Sequence, residues 1–165
     1  MFPSDLHMLA QKLISLYEAE GRKIVTAESC TGGLIAGTLT NIPGSSAVVE
    51  RGFVTYSNDA KIEVLGVPTE LIEEFGAVSD RVAEEMALGA LDFSRADIAL
   101  SVTGIAGPGG GTPEKPIGLV YFGLATREGL LMHYKCQFGG DRHEVRQQSI
   151  HEGLRLLLTM VEREL

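Results

Sequence analysis

Four segments of this chain carry side chains that could do chemistry. The first is Thr-Ala-Glu-Ser-Cys-Thr-Gly-Gly at residues 26–33. Its β-branched start predicts a strand over residues 23–27, and the residues after it predict a helix over 32–39. Ser29, Cys30 and Thr31 stand at the junction as possible nucleophiles or hydrogen-bonding groups. Ligands of open α/β sheets bind at the C-terminal edge of the strands, and free N–H groups at a helix start favour an anion. Cys30, Thr31, Gly32 and Gly33 are therefore the candidate oxyanion turn, with two glycines allowing close approach to the backbone. A plain N-cap and tight turn would use the same residues.

The second segment, residues 51–61, places Tyr56 at a strand end and Lys61 one helical turn beyond Ser57. A lysine acting as a base needs its pKa brought from ~10.4 toward 7, about 4 kcal/mol. Burial can supply that shift, and Arg51 nearby is expected to push the same way. A surface lysine on a short helix is the plainer alternative. The third segment, residues 101–118, holds six of the 20 glycines: Gly104, Gly107, Gly109, Gly110, Gly111 and Gly118. No Gly-Lys-Ser/Thr follows them, so this is not a nucleotide-binding loop of that type. The loop leads through Pro116 into a strand and opens no helix, so it is not a dinucleotide fingerprint either. Its N–H groups could still face a phosphate or a planar ring, and a long structural turn is the alternative. The fourth segment, residues 138–146, puts Arg142 in the first turn of a helix, where the dipole disfavours a cation unless an anion is bound beside it.

The elements that must position these residues follow from periodicity and caps. Leu6, Leu9, Leu13, Ile14 and Tyr17 recur at helical spacing after Ser4, a candidate N-cap. Strands are expected over 48–56, 98–103, 117–126 and 130–138, the last two forming a hairpin around Arg127-Glu128-Gly129. Asn58 is expected to cap a short helix, Ser79 a long one, and Asp141 with Glu144 forms a capping box for the last. Strands alternating with helices, plus one late antiparallel hairpin, predict a mixed sheet covered on both faces in a single domain over 1–165.

Composition narrows the function classes. The 165 residues carry 14 Lys plus Arg against 22 Asp plus Glu, a net charge of −8. That balance opposes a nucleic-acid partner, which is bound chiefly through Lys and Arg, and an anionic membrane surface. No apolar stretch reaches the ~18 residues of a spanning helix, and the first residues show no basic and apolar leader pattern. A cytoplasmic protein is expected. Cys30 and Cys136 form no Cys-x-x-Cys pair, and the four histidines show no His-Glu-x-x-His, so no metal site is expected. No Gly-x-Ser-x-Gly elbow is present.

Taken together, residues 26–33, 50–61, 76–79, 103–118 and 140–146 resemble the nicotinamide-nucleotide amidase family, the CinA-like C-terminal domain of competence/damage-inducible proteins. The motifs span nearly the whole chain in the family's order. The resemblance implies a three-layer α/β/α sandwich with a mixed, mostly parallel sheet. It implies deamidation of nicotinamide mononucleotide to nicotinate mononucleotide and ammonia, without metal or cofactor. Carried onto this chain, Ser29 attacks the carboxamide, Lys61 accepts its proton, and Tyr56 relays the proton or orients the amine. The N–H groups from Cys30 to Gly33 hold the oxyanion. Thr103, Gly104, Gly107, Gly109 and Gly110 line the nucleotide, and Arg142 meets its phosphate. Cys30 is the rival nucleophile. Many members carry the domain behind a metal-dependent pyrophosphatase domain, and the stand-alone form is expected here. A non-catalytic nucleotide-binding module and a protein-interaction module are the alternatives, and a homodimer is expected from symmetry preference alone.

Overall fold

The computed structural model describes residues 3–162. The chain runs α1 (Ser4–Ala19), β1 (Ile24–Glu28), α2 (Leu34–Thr40), a 3-10 turn (Ser45–Ala47), β2 (Val49–Val54), α3 (Asn58–Leu65), α4 (Thr69–Phe75), α5 (Asp80–Asp92), β3 (Ile98–Gly104), β4 (Leu119–Thr126), β5 (Leu131–Gln137) and α6 (Arg142–Glu162). Five strands form one sheet in the order β2-β1-β3-β4-β5. β1 pairs in parallel with β2 and β3, whereas β4 runs antiparallel to both β3 and β5. Four strands therefore share a direction and β4 alone opposes them, the mixed sheet expected from the hairpin.

Burial follows strand position. Every residue of β1 is buried, as a central parallel strand covered on both faces requires. β5 alternates exposed and half-buried, as an edge strand covered on one face does. One core joins Leu13, Ile14 and Tyr17 of α1, Ile35 and Leu39 of α2, and Leu154 and Leu157 of α6 to Ile24, Leu100 and Phe122 of the sheet. The second joins Leu65, Ile72, Val82 and Met86 from α3, α4 and α5 to Val25, Ala27, Ala99 and Ala125 on the other face. This gives the three expected layers. Cys136 packs against the first core as a small apolar side chain.

Caps explain where the helices begin. Ser79 Oγ accepts from Val82 N at 3.3 Å. Asp141 and Glu144 exchange hydrogen bonds of 2.9 and 2.8 Å, closing the expected capping box. Two caps differ from expectation. Ser57, not Asn58, caps α3 by accepting from Ala60 N at 3.0 Å. Ser4 is already helical after Pro3, whose extended ψ of 151° makes it the boundary residue. Among the described residues no helix is long and apolar enough to cross a membrane.

This topology brings the four segments together. β1, β2 and β3 are parallel and end on one edge of the sheet. Because β4 is reversed it begins on that edge, and β5 ends there. The turn after β1, the β2–α3 connection, the glycine-rich loop between β3 and β4, and the start of α6 all meet at one place. The chain leaves β1 for β2 through α2 on one face and reaches β3 through α5 on the other, which opens a crevice at the strand ends.

Candidate active site

An open cleft of about 180 Å³ occupies that edge. Ser29, Cys30, Tyr56, Lys61, Thr103, Gly104 and Arg142 line it together with Asn58, Ala77, Val78 and Ala106. Seven of the residues singled out in the sequence thus converge from four segments.

Lys61 is the centre of the site. Its side chain, 1% exposed, runs under the β2–α3 connection. Its Nζ lies 3.0 Å from Ser29 Oγ, 3.1 Å from the Thr55 carbonyl and 3.2 Å from the Tyr56 carbonyl. Among the described residues no carboxylate pairs with it. Burial pushes its pKa below the ordinary lysine value, opposed only in part by Cys30. A neutral amine has two N–H bonds and one lone pair. The two nearer carbonyls can take those N–H bonds, with the Ser57 carbonyl farther off at 3.5 Å, and the lone pair is then free for the hydroxyl proton of Ser29. Arg51 plays no part in the shift, contrary to expectation. It is exposed and held by the Glu50 carboxylate at 2.7 and 2.8 Å and by the Phe93 carbonyl.

Cys30 is a poor nucleophile. Burial pushes its thiol up to about 12, so the thiol keeps its proton at neutral pH. Tyr56 orients the amine through its backbone carbonyl, but its hydroxyl does not meet the Ser29–Lys61 pair. The ring is 61% exposed, and its oxygen accepts from Arg142 Nη2 at 3.1 Å. Arg142 also donates to the Gly107 carbonyl at 2.8 Å, tying the glycine-rich loop to the start of α6. Thr103 uses its hydroxyl proton on the Ala77 carbonyl at 2.8 Å, which leaves its oxygen only as an acceptor toward the cleft.

The glycines of the loop answer to packing at some positions and to left-handed backbone at others, with φ of 87° at both Gly107 and Gly110. A Cβ at Gly104 would lie 2.7 Å from Val120 Cγ2 and 2.9 Å from the Leu119 carbonyl. At Gly107 it would lie 2.8 Å from Ile117. Gly107, Gly109 and Gly110 do not line the cleft, and a Cβ at Gly109 would meet open space.

The oxyanion turn is narrower than expected, for a reason the motif reading passed over. Glu28, fully buried at the end of β1, accepts from Thr31 Oγ1 at 2.6 Å, Gly33 N at 3.1 Å, Ile35 N at 3.0 Å and Ala36 N at 2.8 Å. It replaces the missing side-chain cap of α2, whose N-cap is Gly33. Gly32 N donates to the Ser29 carbonyl at 3.0 Å. The N–H groups of Gly32 and Gly33 are therefore committed, and Thr31 is fully buried away from the cleft, so the N–H of Cys30, which lines the cleft, is what remains. The missed signal was a glutamate closing a strand just before a helix that starts on Gly-Gly, with no Ser, Thr, Asp or Asn at the cap. Glu28→Gln keeps the shape but offers one acceptor oxygen for four donors. It is expected to cost about 2–4 kcal/mol, two lost bonds to a carboxylate at ~1.5–3 kcal/mol each less partial repair. Urea unfolding at neutral pH measures it.

The chain is similar to known proteins over most of its length. The family model of the CinA C-terminal domain matches residues 6–161. The nicotinamide-nucleotide amidohydrolase PncC of Enterobacter agglomerans is 54% identical over 149 residues, covering 90% of this chain and 91% of that protein. A Caldicellulosiruptor bescii protein named for competence-damage induction is 49% identical over 153 residues, and there the chain spans 37% of the longer protein. The crystal structure of competence/damage inducible protein CihA from Agrobacterium tumefaciens superposes with a TM-score of 0.94 at 52% identity, covering 96% of this chain and 97% of that one.

Proposed function

The chain belongs to the CinA C-terminal domain family, and from that premise we propose that it is an amidohydrolase converting nicotinamide mononucleotide to nicotinate mononucleotide and ammonia. The observation that carries the reading is the buried Lys61 amine, 3.0 Å from Ser29 Oγ and without a carboxylate partner. The name borne by the full-length relative supplies the substrate.

Ser29 Oγ attacks the carboxamide carbon as its proton passes to Lys61 Nζ. The carbonyl oxygen becomes an oxyanion facing the N–H group of Cys30. Collapse breaks the C–N bond, and Lys61 returns the proton to the leaving ammonia. Water, deprotonated by the same amine, then hydrolyses the Ser29 ester. The Thr55 and Tyr56 carbonyls hold the amine in line throughout. Arg142 offers its guanidinium to the phosphate, and the Tyr56 hydroxyl, bound to Arg142, flanks the nucleotide.

Incubation with nicotinamide mononucleotide and separate assay of ammonia and nicotinate mononucleotide tests this. Equal yields of both products are expected. Arg142→Ala is expected to raise KM about 10–100-fold with a smaller effect on kcat, the loss of one charge-assisted bond worth ~1.5–3 kcal/mol. Binding of nucleotide with no ammonia formed would favour a binding module instead.

A further inference from the structure

Ser29 stands between two groups of opposite use. Lys61 reaches it from the β2 side, where the Thr55 carbonyl holds the amine. Thr103 stands on the β3 side. The parallel register of β1 and β3 runs from Ile24 beside Ile98 to Glu28 beside Val102, and Ser29 N then donates to the Val102 carbonyl at 3.0 Å. In a parallel ladder that bond sets Ser29 opposite Thr103. Side chains alternate across a sheet, so Ser29 shares the face of Val25 and Ala27, which pack toward α5. Thr103 shares the face of Ser101, whose hydroxyl donates to the Ala83 carbonyl of α5. The two side chains therefore stand on one face about one strand spacing apart, roughly 5 Å, and both residues line the cleft.

The hydroxyl of Thr103 has one proton and two lone pairs. The proton goes to the Ala77 carbonyl at 2.8 Å, and among the described residues no other group donates to that carbonyl. The turn carrying Ala77 is itself held, since Ser79 Oγ donates to the Gly76 carbonyl at 2.9 Å and Lys115 Nζ to the Phe75 carbonyl. Swinging the proton toward the cleft would leave the Ala77 carbonyl unpaired, so the Thr103 oxygen meets a ligand as an acceptor alone.

We infer that Thr103 reads the leaving group: its oxygen accepts an N–H of the substrate carboxamide and turns away a carboxylate oxygen in the same place. A primary amide brings two N–H donors beside the reacting carbon. A carboxylate brings only lone pairs, which face those of Thr103 with no proton between them. One contact thus favours the amide over the acid and helps the acid leave. It also orients the nitrogen. With one N–H on Thr103, the lone pair that develops on nitrogen turns toward Lys61, which lies across Ser29 and supplies the proton with which ammonia departs.

This role rests on the carboxamide reaction proposed above, and a binding experiment separates the two. Ser29→Ala stops turnover, so the Kd values of nicotinamide mononucleotide and nicotinate mononucleotide are both measurable by calorimetry. They are compared in Ser29→Ala alone and with Thr103→Val or Thr103→Ser added, beside a thermal melt of each protein. Valine keeps the shape and loses the oxygen, and serine keeps the hydroxyl. The quantity read is the Kd of the acid divided by the Kd of the amide. Ribose and phosphate are common to both nucleotides, so contacts to them cancel in this ratio, as does a general loosening of the cleft. The expected result is a ~10–100-fold fall in the ratio with Thr103→Val, because the amide loses an acceptor and the acid loses a repulsion. Thr103→Ser should hold the ratio within about threefold of its parent. Where the melt shows that the valine variant does not fold, Thr103→Ala is read in the same way. A ratio that moves less than about threefold on loss of the oxygen overturns the inference, and so does an equal fall with Thr103→Ser. Failure of both nucleotides to bind Ser29→Ala at millimolar concentration overturns it together with the substrate. Amide bound by Ser29→Ala but no ammonia released by wild type overturns the reaction alone, while the Thr103 ratio still decides the inference.

Discussion

Ser29→Ala is expected to lower kcat for ammonia release by about 10⁴-fold or more, because the nucleophile and its base act as one unit and removing either removes the route. Removing the hydroxyl deletes one atom from a side chain that is only 8% exposed. The only side-chain bond it loses is the one from Lys61, whose amine keeps the Thr55 and Tyr56 carbonyls. The fold should therefore be intact, with the melting temperature moving by a few degrees at most, and nucleotide should still bind. Cys30→Ala is the matched control. It deletes the neighbouring sulfur but leaves the backbone N–H in place, and a thiol held near 12 contributes no thiolate at neutral pH. Its kcat should stay within about tenfold of wild type. Ammonia release by the two variants, measured at saturating substrate, decides between oxygen and sulfur. Full activity in Ser29→Ala with loss in Cys30→Ala would reverse the assignment.

The part of this site that could be read from the sequence is the part encoded locally. Ser29 and Lys61 stand out because each has a reactive group in a segment whose strand-to-helix boundary is visible from residue type. The capping box of α6 and the β4–β5 hairpin are likewise short-range patterns. What stayed hidden depends on partners far apart in the chain. Arg146 meets Cys30 across 116 residues, and no spacing rule connects them. Arg51 is close to Lys61 in sequence yet turns to Glu50, because β2 is an edge strand with its charged side chains free to pair with each other. Tyr56 was expected to relay the proton or to orient the amine, and the chain turns so that its backbone carbonyl faces the amine while the side chain is exposed. The glycine-rich loop looked like a cradle, while Gly104 is required by Val120 and the Leu119 carbonyl beneath it and Gly107 by its φ of +87°. Local chemistry marked the proposed nucleophile and base, and tertiary packing decided which groups surround them.

Replacing Lys61 separates a base from a mere positive charge. Lys61→Met keeps an unbranched apolar stem in the buried channel and removes the nitrogen. Its kcat is expected to fall about 10³–10⁴-fold, the upper range for general acid–base catalysis. Lys61→Arg is the sharper variant. A guanidinium keeps the charge but cannot give up a proton in a protein. If Lys61 only attracted phosphate, Arg would preserve function; as a base, it should be as inactive as Met. The pH profile carries the same information. Burial lowers the lysine pKa from its ordinary 10.5, so kcat/KM should rise with pH along a limb centred below 10.5, and that limb should vanish in both variants. Stability supplies an independent reading. Between the lowered pKa and 10.5 the unfolded chain binds a proton that the folded protein does not. Stability contributed by this group therefore grows as pH rises through that window, and it is lost as pH falls through the folded value. Cys30 acts oppositely, since its thiol ionises from 9.0 in the unfolded chain but only near 12 in the folded one. Wild type and Lys61→Met share that second effect, so subtracting them cancels it to first order. The unfolding free energy of wild type minus that of Lys61→Met, measured in urea at pH 7, 8 and 9, should increase with pH. A difference that stays flat when the series is extended up to 10.5 would mean that Lys61 enters the fold with an unshifted pKa, and the base would then have to be sought elsewhere.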